Sequence, residues 1–398
     1  MEHDIQAALF QPLELPCGTV LKNRIAKSAM SDSLGDGQGN PTPEQERLYE
    51  RWAEGGAALA IVGEVQGNSS AAEKPGNLVL HPASNLNAFA KLAQSGSAHD
   101  MALWPQLGHA GAMAYAPISD PRGPSAINLP GLKCRALTRD EILELPAEFA
   151  RTAQLAQQAG FGGVQVHAAH GFLLSQFLSP LFNKRTDEFG GSLNARARLL
   201  LDVIDEVRAA VGPNFPIALK LNATDQLEGG LSEAESLDVV KLLDATSIDL
   251  IDMSGGTYFP GAKSASDSAG SGPYFLNFAK RAREVTRIPF MLTGGFKTLQ
   301  QCIDAVTNHG IDMIGLARAL ALDPDLPAKW QTDPTHDIQF PRFEQPPEGG
   351  VTAWFTMRLT EIGQDKEAQV ELRLDQSIRD YEARDQQRTE IWKQHFGI

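Results

Sequence analysis

Two histidines three residues apart, His167 and His170, stand in the run GGVQVHAAHGFLLSQFLSPLFNKRTDEFGGS, between a strand-like segment and a long amphipathic stretch. Imidazoles at this spacing on a loop have three uses: they ligate a metal, they settle into structural hydrogen bonds, or they donate together to a substrate oxygen. The last use polarises a carbonyl or nitro group so that an attached double bond accepts hydride. A zinc site would need further ligands, and no obvious third one sits close by in the chain. A knot of charge follows, from Asn183 through Lys184, Arg185 and Asp187 to Glu188.

Other residues could work beside the pair. Lys220 lies in the apolar run IALKLN. An ammonium there is costly to bury unless it faces a partner, either charge developing on a ligand or a carboxylate in a structural ion pair. Gln106, in QLGH, offers an amide that donates and accepts at once, which suits the edge of a heteroaromatic ring. LTGGF carries Gly294 and Gly295, and IGLARAL carries Ala317 and Arg318. Glycine turns and a cation make a phosphate cradle, although the same glycines serve plain turns and Arg318 could pair with a carboxylate. Ser31, in AMS, either touches a ligand or caps a turn.

These positions need a scaffold that brings distant segments to one face. Strand-like runs at 25–30, 57–63, 101–107, 163–167, 217–221, 250–254, 290–293 and 313–316 alternate with helical patterns. Eight strands with intervening helices predict an α/β protein, a single closed (β/α)8 barrel, whose loops at the carboxyl ends of the strands hold the site. Thr42 and Pro43 open one helix; another runs from about Glu144 and stops at Gly160. LFQPLELPCGTVLKN predicts an N-terminal hairpin beneath the barrel. A Pro-rich connector leads to a C-terminal helical extension, with Val351, Trp354, Phe355, Leu359 and Ile362 near one face and a charged helix over 372–395. The expected division is 1–345 for the barrel and 346–398 for the extension.

A net charge of -14 over 398 residues makes nucleic acid an unlikely partner. No stretch reads as a signal peptide or a membrane span, so the expected location is cytoplasmic with no membrane partner. Cys17, Cys134 and Cys302 are too scattered for a disulfide framework or a cysteine metal site.

Taken together, NRIAKSAMS, the stretch from Gln106 to Gly111, HAAHGFLLSQFLSPLFNKRTDEFGGS and GLARALALDPDLP resemble the old yellow enzyme family, the FMN-dependent NAD(P)H:flavin oxidoreductases and ene-reductases. The resemblance runs from about Leu9 to Trp330 and implies a TIM barrel holding FMN, reduced by NADH or NADPH and reoxidised by a small electron-poor acceptor such as an enone or quinone. It implies Ala29, Ser31, Gly63 and Gln106 around the flavin ring, and Lys220 where the family usually has an Arg near N1 and O2. It also implies Gly294, Gly295, Ala317 and Arg318 at the phosphate, and His167 and His170 on the acceptor oxygen. The family's usual proton donor, a Tyr two residues after the second of the pair, is here Phe172; this leaves Tyr258, Tyr115 or water to serve, with Tyr258 the preferred substitute, or an acceptor such as a quinone, dye or oxygen that needs no positioned proton, or a reaction run as an oxidation. Ala112 stands where many relatives carry Arg. No iron–sulfur segment or nucleotide domain is visible, so electrons are expected directly from NAD(P)H, and the tail suggests a homodimer contact or a cap over the barrel mouth. Two other readings are a barrel lyase or isomerase acting on a phosphorylated substrate through Lys220, and a flavoprotein carrier without ene-reductase activity.

Overall fold

Alternation of short apolar runs with amphipathic ones produces the expected strands in the computed structural model, which describes residues 8–259, 262, 272–368 and 371–398. They are β1 (Ile25–Ser31), β2 (Leu59–Gln66), β3 (Ala102–Gly108), β4 (Val164–Ala168), β5 (Ile217–Asn222), β6 (Leu250–Ser254), β7 (Phe290–Thr293) and β8 (Met313–Leu316). Each pairs in parallel with the next, and β8 pairs with β1, so the sheet closes into a (β/α)8 barrel.

The helices are α1 (Pro43–Glu54), α2 (Leu86–Gly96), α3 (Arg139–Gln158), α4 (Leu173–Leu178), α5 (Leu193–Val211), α6 (Glu233–Leu243), α7 (Leu276–Arg283), α8 (Leu299–Asn308), α9 (Arg318–Leu322), α10 (Leu326–Thr332), α11 (Gly350–Gly363) and α12 (Leu374–Phe396). Several begin on the cap that the sequence supplies. Thr42 accepts from the Gln45 amide, and Ser232 and Glu235 form a reciprocal capping box at α6. Helix α3 starts earlier than its expected onset near Glu144. Thr138 and Glu141 box its first turn, and Pro146 lies inside the helix.

Inside the barrel the side chains sort into layers. The lowest is apolar: Ala26, Leu59, Ile61, Trp104, Ala218, Leu250, Met291 and Met313. The N-terminal hairpin, Leu13–Glu14 against Val20–Leu21, presses Leu13, Leu15 and Leu21 into this layer and closes the bottom. Above it comes a polar layer, and above that the mouth, formed by the loops at the carboxyl ends of the strands.

Both tail helices pack on the barrel. Helix α11 lies against α1 and α9 and buries Trp354, Phe355, Leu359 and Ile362, the expected face. Helix α12 crosses one side of the mouth: Trp392 is fully buried with Ala72, Val79 and Ile118, and the Arg388 guanidinium donates to the Ser33 carbonyl. Trp392→Ala should therefore cost about 3–5 kcal/mol by emptying that contact. The check is a shift in the urea unfolding midpoint together with earlier protease cleavage in the tail.

Candidate active site

The polar layer is organised around Asp252. Its Oδ2 accepts from the Lys220 ammonium at 2.6 Å and from the Gln165 amide at 3.1 Å, and its Oδ1 accepts from the Thr293 hydroxyl at 2.7 Å. Gln106 Nε2 donates to Gln165 Oε1 at 2.7 Å, and the hydroxyls of Ser28 and Thr293 lie 2.9 Å apart. Six strands, β1 and β3 to β7, thus meet in one hydrogen-bonded ring. The layer leaves β8 no room for a side chain: a Cβ on Gly315 would stand 2.1 Å from Thr293 Oγ1. Of the two partners foreseen for Lys220, the structure provides the carboxylate.

One layer higher, strand β4 aims His167 into the mouth. Its Nε2 lies 3.2 Å from His170 Nδ1, and His170 Nε2 lies 2.9 Å from Ser254 Oγ. His170 has φ 60°, a left-handed conformation that few non-glycine residues adopt. Two neighbours hold it there: its amide donates to Asn222 Oδ1 at 3.0 Å, and its carbonyl accepts from the Tyr258 amide at 3.1 Å. Burial, with Lys220 nearby, pushes His170 down to about 3 and His167 well below the ordinary imidazole range, so both rings are neutral at physiological pH. Among the described residues no cluster of metal-ligating side chains accompanies them.

Phe172 is 1% exposed, its ring 4.8 Å from that of His167 and packed with Ala110 and Ala114. Tyr258, at 60% exposure, stands on the rim with its ring 5.6 Å from His170. Tyr115 lies to one side, near Lys74, whose ammonium is 5.8 Å from its ring.

The remaining expected residues sit at the carboxyl ends of other strands. Ser31 pairs in register with Gly63, and a Cβ on Gly63 would be 3.2 Å from that of Ala29. Gly294 and Gly295 follow β7 with φ 113° and 86°, and a Cβ on Gly295 would meet the Gly272 carbonyl at 2.1 Å, so only glycine fits. Ala317 caps α9 after β8, and the Arg318 guanidinium lies 5.4 Å over the Phe355 ring of α11. The charge knot after α4 serves the scaffold. Arg185 pairs with Asp187 and donates to the carbonyls of Pro124 and Leu137, while Asn183 ties the carbonyls of Phe177 and Phe189.

Asp252, Gln165, Asn222, Ser254 and Glu64 were not singled out from the sequence. Asp252 and Gln165 carried the signal that marked Lys220, a polar residue inside an apolar strand.

Residues 8–336 match the model of the NADH:flavin oxidoreductase / NADH oxidase family. The chain belongs to this family. Its members are FMN enzymes that draw on a nicotinamide reductant, and membership accounts for the barrel. Among similar relatives, the NADH-dependent flavin oxidoreductase iliE of Hypocrea jecorina is 32% identical over 79% of this chain and 87% of its own length. The protein of the same name from Neonectria sp. is 32% identical over 86% of this chain, which spans only 49% of that longer protein. The old yellow enzyme homologue from Zymomonas mobilis superposes with a TM-score of 0.73 at 25% identity, covering 86% of this chain and 98% of the other. No helix among the described residues is long and apolar enough to cross a membrane.

A third buried imidazole, His109, is pushed down to about 3, chiefly by burial and secondarily by Arg122, and its Nδ1 accepts from the Gly111 amide at 2.9 Å. Such groups are neutral in the fold but take up protons on unfolding below their ordinary value of 6.5. Between that value and about 3, the unfolded chain binds more protons, so these imidazoles make stability fall as pH falls. His109→Asn keeps an acceptor for Gly111 and should flatten the slope of unfolding free energy between about pH 4 and about pH 6, by about 1.4 kcal/mol per pH unit at most. Urea titrations of both proteins across that range measure it, and an unchanged slope would show the imidazole already charged in the fold.

Proposed function

We propose that the protein takes electrons from NADH or NADPH and reduces a small electron-poor acceptor, an enone, quinone or similar, whose oxygen binds at His167 and His170 in place of the 3.2 Å contact between their facing nitrogens. The observation that carries this reading is the neutral imidazole pair 3.2 Å apart at the mouth of an FMN-family barrel. FMN, when bound, supplies the two-electron chemistry that side chains lack.

The chain's own residues would do the rest. Gln106 would meet the polar edge of the flavin ring, with Ala29, Ser31 and Gly63 beside it. Lys220 would place a cation near the position that becomes anionic on reduction, held there by Asp252. Gly294, Gly295, Ala317 and Arg318 would grip the phosphate through backbone amides and a guanidinium. The imidazoles would donate to the acceptor oxygen and draw electron density away from the attached double bond. Phe172 contributes shape and no proton, and Tyr258 on the rim is the nearest phenol that could give one.

The purified protein should be yellow and bleach on adding NADH or NADPH under anaerobic conditions; a colourless protein that fails to take up FMN would overturn the reading. Stopped-flow mixing of reduced protein with cyclohexenone and with a quinone then tests the acceptor, because a mere carrier shows no acceptor-dependent reoxidation. Phe172→Tyr should raise the enone rate by about tenfold or more if a missing carbon acid limits it. His170→Ala should weaken phenolic ligands while FMN stays bound, and an unchanged ligand titration would remove His170 from the site.

A further inference from the structure

Behind His167, on the side of β2, lies a carboxyl group that the scheme above leaves idle. Glu64 is 6% exposed. Its Oε2 accepts from Gln66 Nε2 at 3.3 Å, and its Oε1 is 3.7 Å from His167 Nδ1, a buried nitrogen with no nearer partner. Continuing outward, His167 Nε2 is 3.2 Å from His170 Nδ1, and His170 Nε2 is 2.9 Å from Ser254 Oγ. Four groups stand in line, and each imidazole is approached at both nitrogens.

A neutral imidazole has one donor and one acceptor nitrogen, so the proton on the end group sets the polarity of the whole line. With a proton on Glu64, its hydroxyl faces His167 Nδ1 across 3.7 Å, and His167 presents Nε2–H toward His170 Nδ1, the place an acceptor oxygen would take between the rings. With Glu64 ionised, the same nitrogens reverse their roles. A proton can therefore leave Glu64 and emerge between the two rings while neither ring stores it.

We propose that Glu64 is the acid of this site, and that its proton passes through His167 to the acceptor oxygen held between the imidazoles. This rests on the acceptor reading given above and narrows it to acceptors that finish as O–H compounds, with quinones foremost. In the balanced reaction, NADH gives up a hydride and becomes NAD⁺. The quinone takes that electron pair and one proton from it, and its remaining oxyanion takes a second proton. As the Glu64 O–H bond breaks, His167 gains a proton at Nδ1 and loses one from Nε2 to the oxyanion. Glu64 is left as a carboxylate, and solvent restores its proton by way of Glu73, which is partly exposed.

The surroundings keep the store filled. Burial first, and the facing Glu73 carboxylate second, raise Glu64 well above the ordinary carboxyl range, with the Gln66 hydrogen bond opposing. Tyr258 faces both carboxyls from the loop after β6, Lys74 and Asp385 face Glu73, and Lys220 from β5 bears on the two imidazoles. Phe172, the family's phenol position, has nothing to donate, and imidazoles pushed this low hold no spare proton at neutral pH.

The test uses the FMN-loaded protein. Its infrared spectrum at neutral pH should contain the carbonyl stretch of a protonated buried carboxyl, and Glu64→Gln should remove that band; absence of such a band in wild type overturns the proposal. After anaerobic reduction by NADH, reoxidation by a benzoquinone is compared with reoxidation by ferricyanide, which takes electrons without a proton. Glu64→Gln should lower the quinone-to-ferricyanide rate ratio about a hundredfold. Glu64→Asp, which keeps the acid on a shorter stem, should restore part of it. An unchanged ratio in Glu64→Gln overturns the relay while leaving the acceptor reading standing. A wild-type protein that ignores every quinone overturns the acceptor reading and the relay with it.

Discussion

Asp252 governs this barrel more than any apolar contact does. A carboxylate and an ammonium inside the cylinder each lose hydration worth several kcal/mol, and the loss is tolerable only when every oxygen finds a donor. Asp252 achieves this by accepting from Lys220, Gln165 and Thr293, and Gln106 and Ser28 extend the ring. The arrangement fixes the height at which apolar filling stops and a polar floor begins. The candidate site stands on that floor: His167 one residue pair above Gln165 on β4, Ser254 one pair above Asp252 on β6, and Asn222 above Lys220 on β5. A wholly aliphatic barrel interior would be cheaper to fold, but it would give the histidine loop nothing polar to lean on.

The strands were legible because buried parallel strands are short unbroken apolar runs, and each observed strand overlaps its expected span within about three residues. The hairpin at the bottom and the apolar face of α11 followed from the same patterning. Helix α3 was placed late at its start because it was read from apolar spacing, whereas the capping box at Thr138 and Glu141 is the stronger local signal. The candidate site was legible at its rim, where His167, His170, the glycines after β7 and Arg318 stand at strand ends, and in part of its inner layer, where Gln106 and Lys220 were singled out. The rest of that layer was not. Asp252 and Gln165 become meaningful only when closure of the sheet sets β4, β6 and β7 around one axis, and no spacing within the chain shows that. In the charged stretch, Arg185 is spent on loop carbonyls and on Asp187.

Family membership and local chemistry answer different questions here. Membership accounts for the barrel, the flavin and the nicotinamide. What Phe172 and the buried carboxyl of Glu64 do is a matter of local chemistry, and on the readings proposed above they would bear on what happens after the electrons have arrived. A phenol near the alkene carbon serves protonation at carbon, whereas a line of nitrogens ending beside an oxygen serves protonation at oxygen. On the relay proposed above, moving the acid from one place to the other would change the preferred product without altering the fold.

The absence of charge on His167 and His170 carries a consequence for recognition. Rings without a positive charge exert only dipolar forces, which fall off within a few ångströms and which dissolved ions hardly weaken. On the acceptor reading proposed above, these two rings would select an incoming molecule late, by contour and by the direction of its lone pairs, and would not draw it in from afar. Their share of recognition would be indifferent to salt and tolerant of many skeletons that share one correctly placed oxygen.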